Sequence, residues 1–358
     1  MRKTLLIINP GSTSTKVAIY DDMQVRVSDQ IDHDADILKA FPSVHSQFDF
    51  RKEAIEKWLA RQARARLSAV VARGGMLRPL QGGCYEVDSL MKEDLRVGIQ
   101  GEHASNLGGL IADALATPLG IPAYIVDPVS VDEFDDVARL SGVKEIPRKS
   151  LLHALNIRST ARRAAHDMGR EMEECNFVIA HLGGGFSITA MRKGKMIDVN
   201  NANEEGPFSP ERAGSLPCFA LAKLCFSGKF RDFSEARKII LGQGGIVAYL
   251  GTSDVRQVIR QIEEGDAYAE RVLNAMVYQI AKYIGSMAVA LKGEVDAVIL
   301  TGGIAYSSMV TQAIEQRVRF IAPVHLYPGE NEMASLAAGA LRVLRGEESV
   351  KKYIEEVG

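Results

Sequence analysis

The sequence predicts an α/β protein of two lobes, each built on a mixed sheet, arranged as a duplication with an interlobe cleft. Three observations carry that expectation. The chain begins twice: the apolar run Leu5-Leu6-Ile7-Ile8 enters a turn of small residues, Asn9-Pro10-Gly11-Ser12-Thr13-Ser14-Thr15-Lys16, and returns through Val17 to Tyr20. The same grammar recurs from Phe177 through His181-Leu182-Gly183-Gly184-Gly185 to Met191, with Asn9 matching His181 at an offset of 172 in a chain of 358 residues. Second, Ala69-Val70-Val71-Ala72-Arg73-Gly74-Gly75 returns in the same order as Ala297-Val298-Ile299-Leu300-Thr301-Gly302-Gly303. Third, a chain of this length exceeds what one hydrophobic core usually serves.

The elements follow in order. The first lobe opens with the hairpin through Tyr20 and a third strand near Met23–Val27. Ala54, Ile55, Trp58 and Leu59 fall at helical spacing within Arg51–Arg66. A buried strand at Ala69–Arg73 precedes a helix at Ala104–Ala116 and a strand at Ala123–Val126, which Asp127-Pro128 stops. The chain crosses over near Ser150–Asn156. The second lobe carries the hairpin region Phe177–Val199, a loop at Asn200–Pro217 and a long helix over Asp266–Leu291, with Val272, Leu273, Met276, Ile280, Ile284 and Met287 in register. A last helix is expected at Met333–Leu344. The lobes are therefore drawn as residues 1–150 plus 328–358, and residues 151–327.

Apolar residues make up 46% and charged residues 25%, ordinary for a soluble globular chain. The net charge of −2 implies no polyanion-binding surface, and the basic stretch Arg61–Arg66 reads as a solvated helix face. Cys84, Cys175, Cys218 and Cys225 show neither a CxxC pair nor metal-ligand spacing, which suits a reducing compartment. No apolar run approaches the roughly 18 residues of a membrane helix, and Leu5–Ile8 is too short for a signal peptide, so a cytoplasmic location is expected. The chain lacks GxxxxGK[ST], its triglycine run fails GxGxxG at the third glycine, and it has no HRD or DFG.

The turns suit one physical task. Glycines let backbone N–H groups approach an anion, hydroxyls add donors, and Lys16 adds positive charge. One such turn per half implies a nucleotide held between the lobes.

These segments resemble the acetate and sugar kinase, Hsp70 and actin superfamily, whose lobes are ribonuclease H-like. The closest resemblance is to the butyrate branch of the acetokinase family. It rests on Asn9 through Lys16, Arg73-Gly74-Gly75, Gly101-Glu102-His103-Ala104-Ser105-Asn106, Val126-Asp127-Pro128, His153-Ala154-Leu155-Asn156, His181 through Gly185, Gly206 through Arg212, Thr301-Gly302-Gly303 and Asn331-Glu332. Acetate kinases have two valines and a histidine between the arginine and the glycine pair. Here Arg73 meets Gly74 directly, which favours the butyrate branch and room for a larger acid.

The resemblance implies ATP, Mg²⁺ and a short-chain carboxylate, butyrate or isobutyrate, giving ADP and an acyl phosphate by direct in-line transfer. It also implies a homo-oligomer of dimers or their multiples, without nucleic-acid or membrane partners. Both substrates are anionic and the transferring phosphoryl group spreads charge over its oxygens, so the work is positioning and electrostatics. By resemblance, Arg73 and Arg212 clamp the carboxylate and phosphoryl group. His153 donates to phosphoryl oxygens, and Asn9, Ser12, Ser14 and Lys16 grip phosphates or orient the transfer. Gly11, His181, Gly183, Gly184, Gly185, Gly302 and Gly303 line the nucleotide. Asp127 and Glu332 hold Mg²⁺ directly or through water. The first lobe takes the acyl substrate, the second the adenosine.

The residues alone leave plainer readings open: a surface ion pair for each arginine, turn capping for the serines and His181, a core position for His153, an Asx turn for Asp127, and a helix-dipole acid for Glu332. Other activities on the same fold are acetate, propionate or branched-chain acid kinase, a nucleotide-gated chaperone module, and a phosphohydrolase. The short stretch after Gly303 leaves no room for a peptide-binding domain, and a pair of arginines suits a carboxylate better than an activated water.

Overall fold

The computed structural model describes residues 2–62 and 66–358. The chain divides into two units: residues 1–132 with 331–358, and residues 133–330.

In the first unit, β1 (Thr4–Pro10), β2 (Ser14–Asp21) and β3 (Gln24–Asp32) form an antiparallel meander. β4 (Ala69–Arg73) and β6 (Ala123–Val126) extend it in parallel from β1, and β5 (Cys84–Glu86) pairs antiparallel to β6. β1 is buried from end to end, as expected of a central strand with both faces covered. The helix Asn106–Ala116 packs on β4 and β6, and the helix Glu332–Leu344 packs on β1, β4 and β6.

In the second unit, β7 (Asn176–Leu182), β8 (Phe186–Arg192) and β9 (Lys195–Val199) repeat the meander, and β10 (Ala297–Gly302) and β11 (Val324–Pro328) repeat the parallel extension. The helix Ala267–Ala290 packs on β7 and β8, and Asp266 caps it by accepting from the amides of Tyr268 and Ala269.

The spatial orders are β3-β2-β1-β4-β6 and β9-β8-β7-β10-β11. Leu5 pairs with Ala69 as Phe177 pairs with Ala297. The residues matched by sequence are therefore register partners in both copies, and the duplicated fold stands.

Several boundaries differ from the sequence expectation. β3 continues to Asp32 by pairing with β2, over exposed, polar residues that carry no apolar signal. The second helix of the chain spans Phe48–Ala60, not Arg51–Arg66; of the basic stretch, residues 63–65 lie outside the described residues. The second unit begins at Glu133, before the expected crossing. Glu133 accepts from the Met196 amide, and Arg148 bonds Asp198 and Glu205, tying that stretch to β9 and the loop beyond. The helix Glu332–Leu344 is not the last: β12 (Lys351–Lys352) joins the edge of the first sheet beside β5, and a short helix, Tyr353–Val357, follows. There the buried Tyr353 hydroxyl donates to Asp94 Oδ2 at 2.8 Å.

Candidate functional site

Parallel pairing places the C-terminal ends of β1, β4 and β6 side by side, the edge where open α/β sheets carry their sites. Asn9, Arg73 and Asp127 occupy those ends. Glu332, the first residue of its helix, completes a compact group: Asn9 Nδ2 donates to Glu332 Oε2 at 2.6 Å, and Arg73 Nη1 lies 2.9 Å from Glu332 Oε1. Its position in the first helical turn also suits a carboxylate.

Asp127 sits beside this group with φ of 40°, in the left-handed region. Its amide donates to Gly83 O at 2.9 Å, and its Oδ1 accepts from Gly83 N at 2.7 Å. The carboxyl group is thereby pinned to a turn. Among the described residues no three His, Cys, Asp or Glu side chains converge as a metal cluster, so Asp127 and Glu332 stand as two carboxylates.

The Arg73-Gly74-Gly75 junction differs from its sequence reading. A Cβ on Gly74 would stand 2.6 Å from Pro128 Cβ, and one on Gly75 would stand 2.6 Å from Asn106 Cα. These glycines permit close packing, and the places their own side chains would take are filled. His103, which the sequence reading left without a role, lies near Arg73. Surrounding protein first, then Arg73 and Arg51, hold its imidazole below the ordinary range. The Ser105 amide donates to its Nδ1 at 3.1 Å, leaving the proton of the neutral ring on Nε2.

Gly11 and Ser12 lie in the β1–β2 turn, with Ser14 and Lys16 at the start of β2. Gly11 N donates to Ser14 O at 2.8 Å and closes the turn, while Ser12 and Lys16 are exposed. Arg51, fully buried, lies beneath this turn. Its own helix did not advertise a role in a turn some 40 residues earlier.

In the second unit, the β7–β8 turn is Gly183-Gly184-Gly185. His181 precedes it and is wholly buried. Its Nδ1 donates to Asn156 Oδ1 at 2.8 Å, because a carbonyl oxygen can only accept, and its Nε2 lies 3.1 Å from Glu330 Oε1. Thr301 Oγ1 donates to the same Asn156 oxygen at 3.2 Å. His153 stacks on His181, ring centres 3.9 Å apart, with its Nδ1 2.9 Å from Ser187 Oγ. Asn156, Ser187 and Glu330 were not singled out as site residues from sequence. Ser187 pairs with His181 across β7–β8 as Lys16 pairs with Asn9 across β1–β2, so the repeat itself was the available signal for Ser187.

Arg212 presses on the triglycine turn, and a Cβ on Gly185 would collide with its guanidinium. Arg212 Nη1 donates to Ala202 O at 3.1 Å and Asn203 Oδ1 at 3.0 Å, both neutral acceptors. Among the described residues it makes no ion pair, and burial lowers its pKa without removing the charge. Ser209 Oγ donates to Gly184 O at 2.5 Å, holding the turn from the same loop. Gly302 ends β10 beside Leu182, and Gly303 lies on a cavity of about 980 Å³ that Gly183, Gly184, Glu211, Arg256, Ile304 and Tyr306 also line. Among the expected site residues, the structure thus groups Asn9, Arg73 and Glu332, with Asp127 on the adjacent strand end, in one unit. It groups His153, His181, the triglycine turn, Arg212, Gly302 and Gly303 in the other.

The profile of the acetokinase family matches residues 144–341. A probable butyrate kinase 2 of Caldanaerobacter subterraneus is 54% identical over 351 residues, 98% of this chain and 99% of that protein. Butyrate kinase 2 of Clostridium acetobutylicum is 51% identical over 356 residues, 99% of this chain and 100% of that protein. The crystal structure of Porphyromonas gingivalis acetate kinase superposes with a TM-score of 0.79 at 18% identity, covering 96% of this chain and 100% of that one, a likeness of fold. With a family profile over more than half its length and relatives this similar from end to end, the chain belongs to the acetokinase family.

Proposed function

We propose that this protein is a butyrate kinase, transferring the γ-phosphoryl group of ATP directly to butanoate to give ADP and butanoyl phosphate. The observation that carries the reading is the pairing of Arg73 with Glu332 and Asn9 at the strand ends: a guanidinium already holding a carboxylate. In this reading the substrate carboxylate takes the Arg73 face that Glu332 occupies in the free protein. Asn9 and the β1–β2 turn orient the transferred group. Arg212, charged and bonded only to neutral oxygens, faces the developing negative charge. His153 adds a donor, and His181, its Nδ1 proton committed to Asn156, keeps the ring on which His153 stacks in place. The triglycine turn and its cavity take the phosphates and base of the nucleotide.

The donor set also fits Mg²⁺. Asp127 and Glu332 are hard oxygen ligands, and Mg²⁺ is commonly held by one or two carboxylates with water and phosphate completing the shell. When bound, the ion would neutralise phosphate charge. Among the described residues no helix is long and apolar enough to cross a membrane. Self-association in dimers or their multiples belongs to the same reading.

The deciding experiment traps acyl phosphate with hydroxylamine during incubation with ATP and a panel of two- to six-carbon acids. Butanoate is expected to give the strongest hydroxamate signal. No signal with any acid sinks the proposal.

A further inference from the structure

We infer that Arg51 is a positioning residue that turns two backbone amides of the β1–β2 turn outward as an anion-binding pair. Arg51 lies on the helix Phe48–Ala60, on the face it shares with Ile55 and Trp58, and is fully buried. A buried guanidinium needs a partner for every donor. Its partners are almost all in the turn: Nη1 donates to Gly11 O at 2.9 Å, to Ser14 O at 3.3 Å and to Thr15 Oγ1 at 3.3 Å, and Nη2 donates to Ser12 O at 3.0 Å. Nε donates to Gln47 Oε1 at 3.0 Å, which fixes the plane of the fork.

The geometry of the peptide unit does the rest. The peptide bonds of this turn are trans, so a carbonyl and the amide of the following residue point in opposite directions. Fixing Gly11 O and Ser12 O on the guanidinium therefore directs Ser12 N–H and Thr13 N–H away from it. Among the described residues neither amide donates a hydrogen bond. Two successive free amides on one side of a turn form a concave donor pair suited to a phosphoryl oxygen. Arg51 itself is too buried to touch a ligand. Its positive charge lies behind the peptide planes and reinforces their dipoles in the same direction.

The inference rests on the reading that this turn takes a phosphoryl group, and the test separates the two. In the full-length protein, ¹H–¹⁵N spectra would be recorded during titration with inorganic phosphate. Wild type is expected to show downfield shifts of the Ser12 and Thr13 amide protons. No shift in wild type overturns the phosphoryl reading of the turn, whatever Arg51 does.

Arg51→Lys keeps the charge but not the fork that can hold several carbonyls. It is expected to lose most of both shifts and to lower kcat by ~10²-fold, with KM for the acid within about threefold, as for misplacement of a preorganised donor. If wild type responds and Arg51→Lys shows the same shifts with kcat within about threefold, Arg51 is a core residue only and the inference fails. Should Arg51→Lys not fold, Gln47→Met releases the fork while leaving the arginine in place. A ~3- to 10-fold loss of kcat with weakened shifts is expected there, and unchanged shifts with unchanged kcat overturn the inference equally.

Discussion

The two hairpin turns occupy the same place in the duplicated fold and are built in opposite ways. The β1–β2 turn is supported from behind, through its backbone carbonyls, by a buried arginine whose charge never reaches the surface. The β7–β8 turn is supported through Ser209 on Gly184 O, and its arginine lies against the turn itself. In the first, glycine is a convenience: a Cβ on Gly11 would meet Ser14 O at an ordinary 3.4 Å. In the second, Gly185 is a steric requirement, because Arg212 fills the space its side chain would use. One turn carries side chains that can donate, and the other is bare glycine and admits a side chain from the loop beyond β9.

The largest expected effect tests whether the half-buried site arginines or the buried supports do the chemistry. Arg73→Ala and Arg212→Ala should each lower kcat ~10²-fold or more, about 3 kcal/mol, as for loss of a charged donor at a developing oxyanion. Steady-state kinetics decides: a change confined to KM would reduce either arginine to substrate binding.

Glycine replacement sharpens the comparison directly. Gly185→Ala should displace Arg212 and lower kcat by ~30-fold, whereas Gly11→Ala should stay within about threefold, as expected when sub-ångström positioning is lost in one case and kept in the other. Equal losses in both variants would mean that the turns are built alike.

Acid selectivity is expected to be smaller. Two additional buried methylenes in butanoate over acetate are worth roughly 1.6 kcal/mol, or about 15-fold in kcat/KM. The absent side chains of Gly74 and Gly75 do not supply room for those methylenes, because the places the side chains would take are filled. A maximum at acetate across two- to six-carbon acids would refute the preference.

The smallest effect concerns the support of the first turn. His33 is buried with its Nε2 2.9 Å from Thr15 Oγ1. Burial first, then the Arg51 charge, lower its pKa from 6.5, with Asp32 opposing. The unfolded chain therefore binds a proton more readily than the fold does. The stabilisation is complete above about pH 6.5 and declines as the pH falls toward the lower folded value. Urea midpoints at about pH 7.5 and 5.5 should show a loss that His33→Gln reduces. An identical pH response in both proteins would remove His33 from the account.

The repeat was legible in sequence because parallel pairing preserves order: residues matched at Leu5 and Phe177, and at Ala69 and Ala297, pair in the same register. The strand-end residues were legible for the same reason, since a polar residue closing an apolar strand must emerge at the sheet edge. Arg51 was not. Helical spacing shows which face is buried but not what a buried arginine bonds across 36 to 40 residues. The Gly74-Gly75 pair shows a subtler limit. Sequence reveals that a Cβ is excluded, and only packing reveals whether the space beside it is empty or full. β3, exposed and polar, escaped because its pairing with β2 gives it order without an apolar pattern.

The first unit draws on both sides of the second in chain order, with residues 331–358 completing a sheet begun at Thr4. During synthesis the second unit can close on itself while the first still lacks the helix that bears Glu332 and the Tyr353 clasp on Asp94. Until those residues leave the ribosome, Arg73 has no Glu332 to hold it, and the helix that covers β1, β4 and β6 is missing. The nascent chain thus leaves the Leu5–Ile8 run of β1 uncovered until residues 331–358 emerge, so completion of the first sheet waits on a segment translated after the whole second unit.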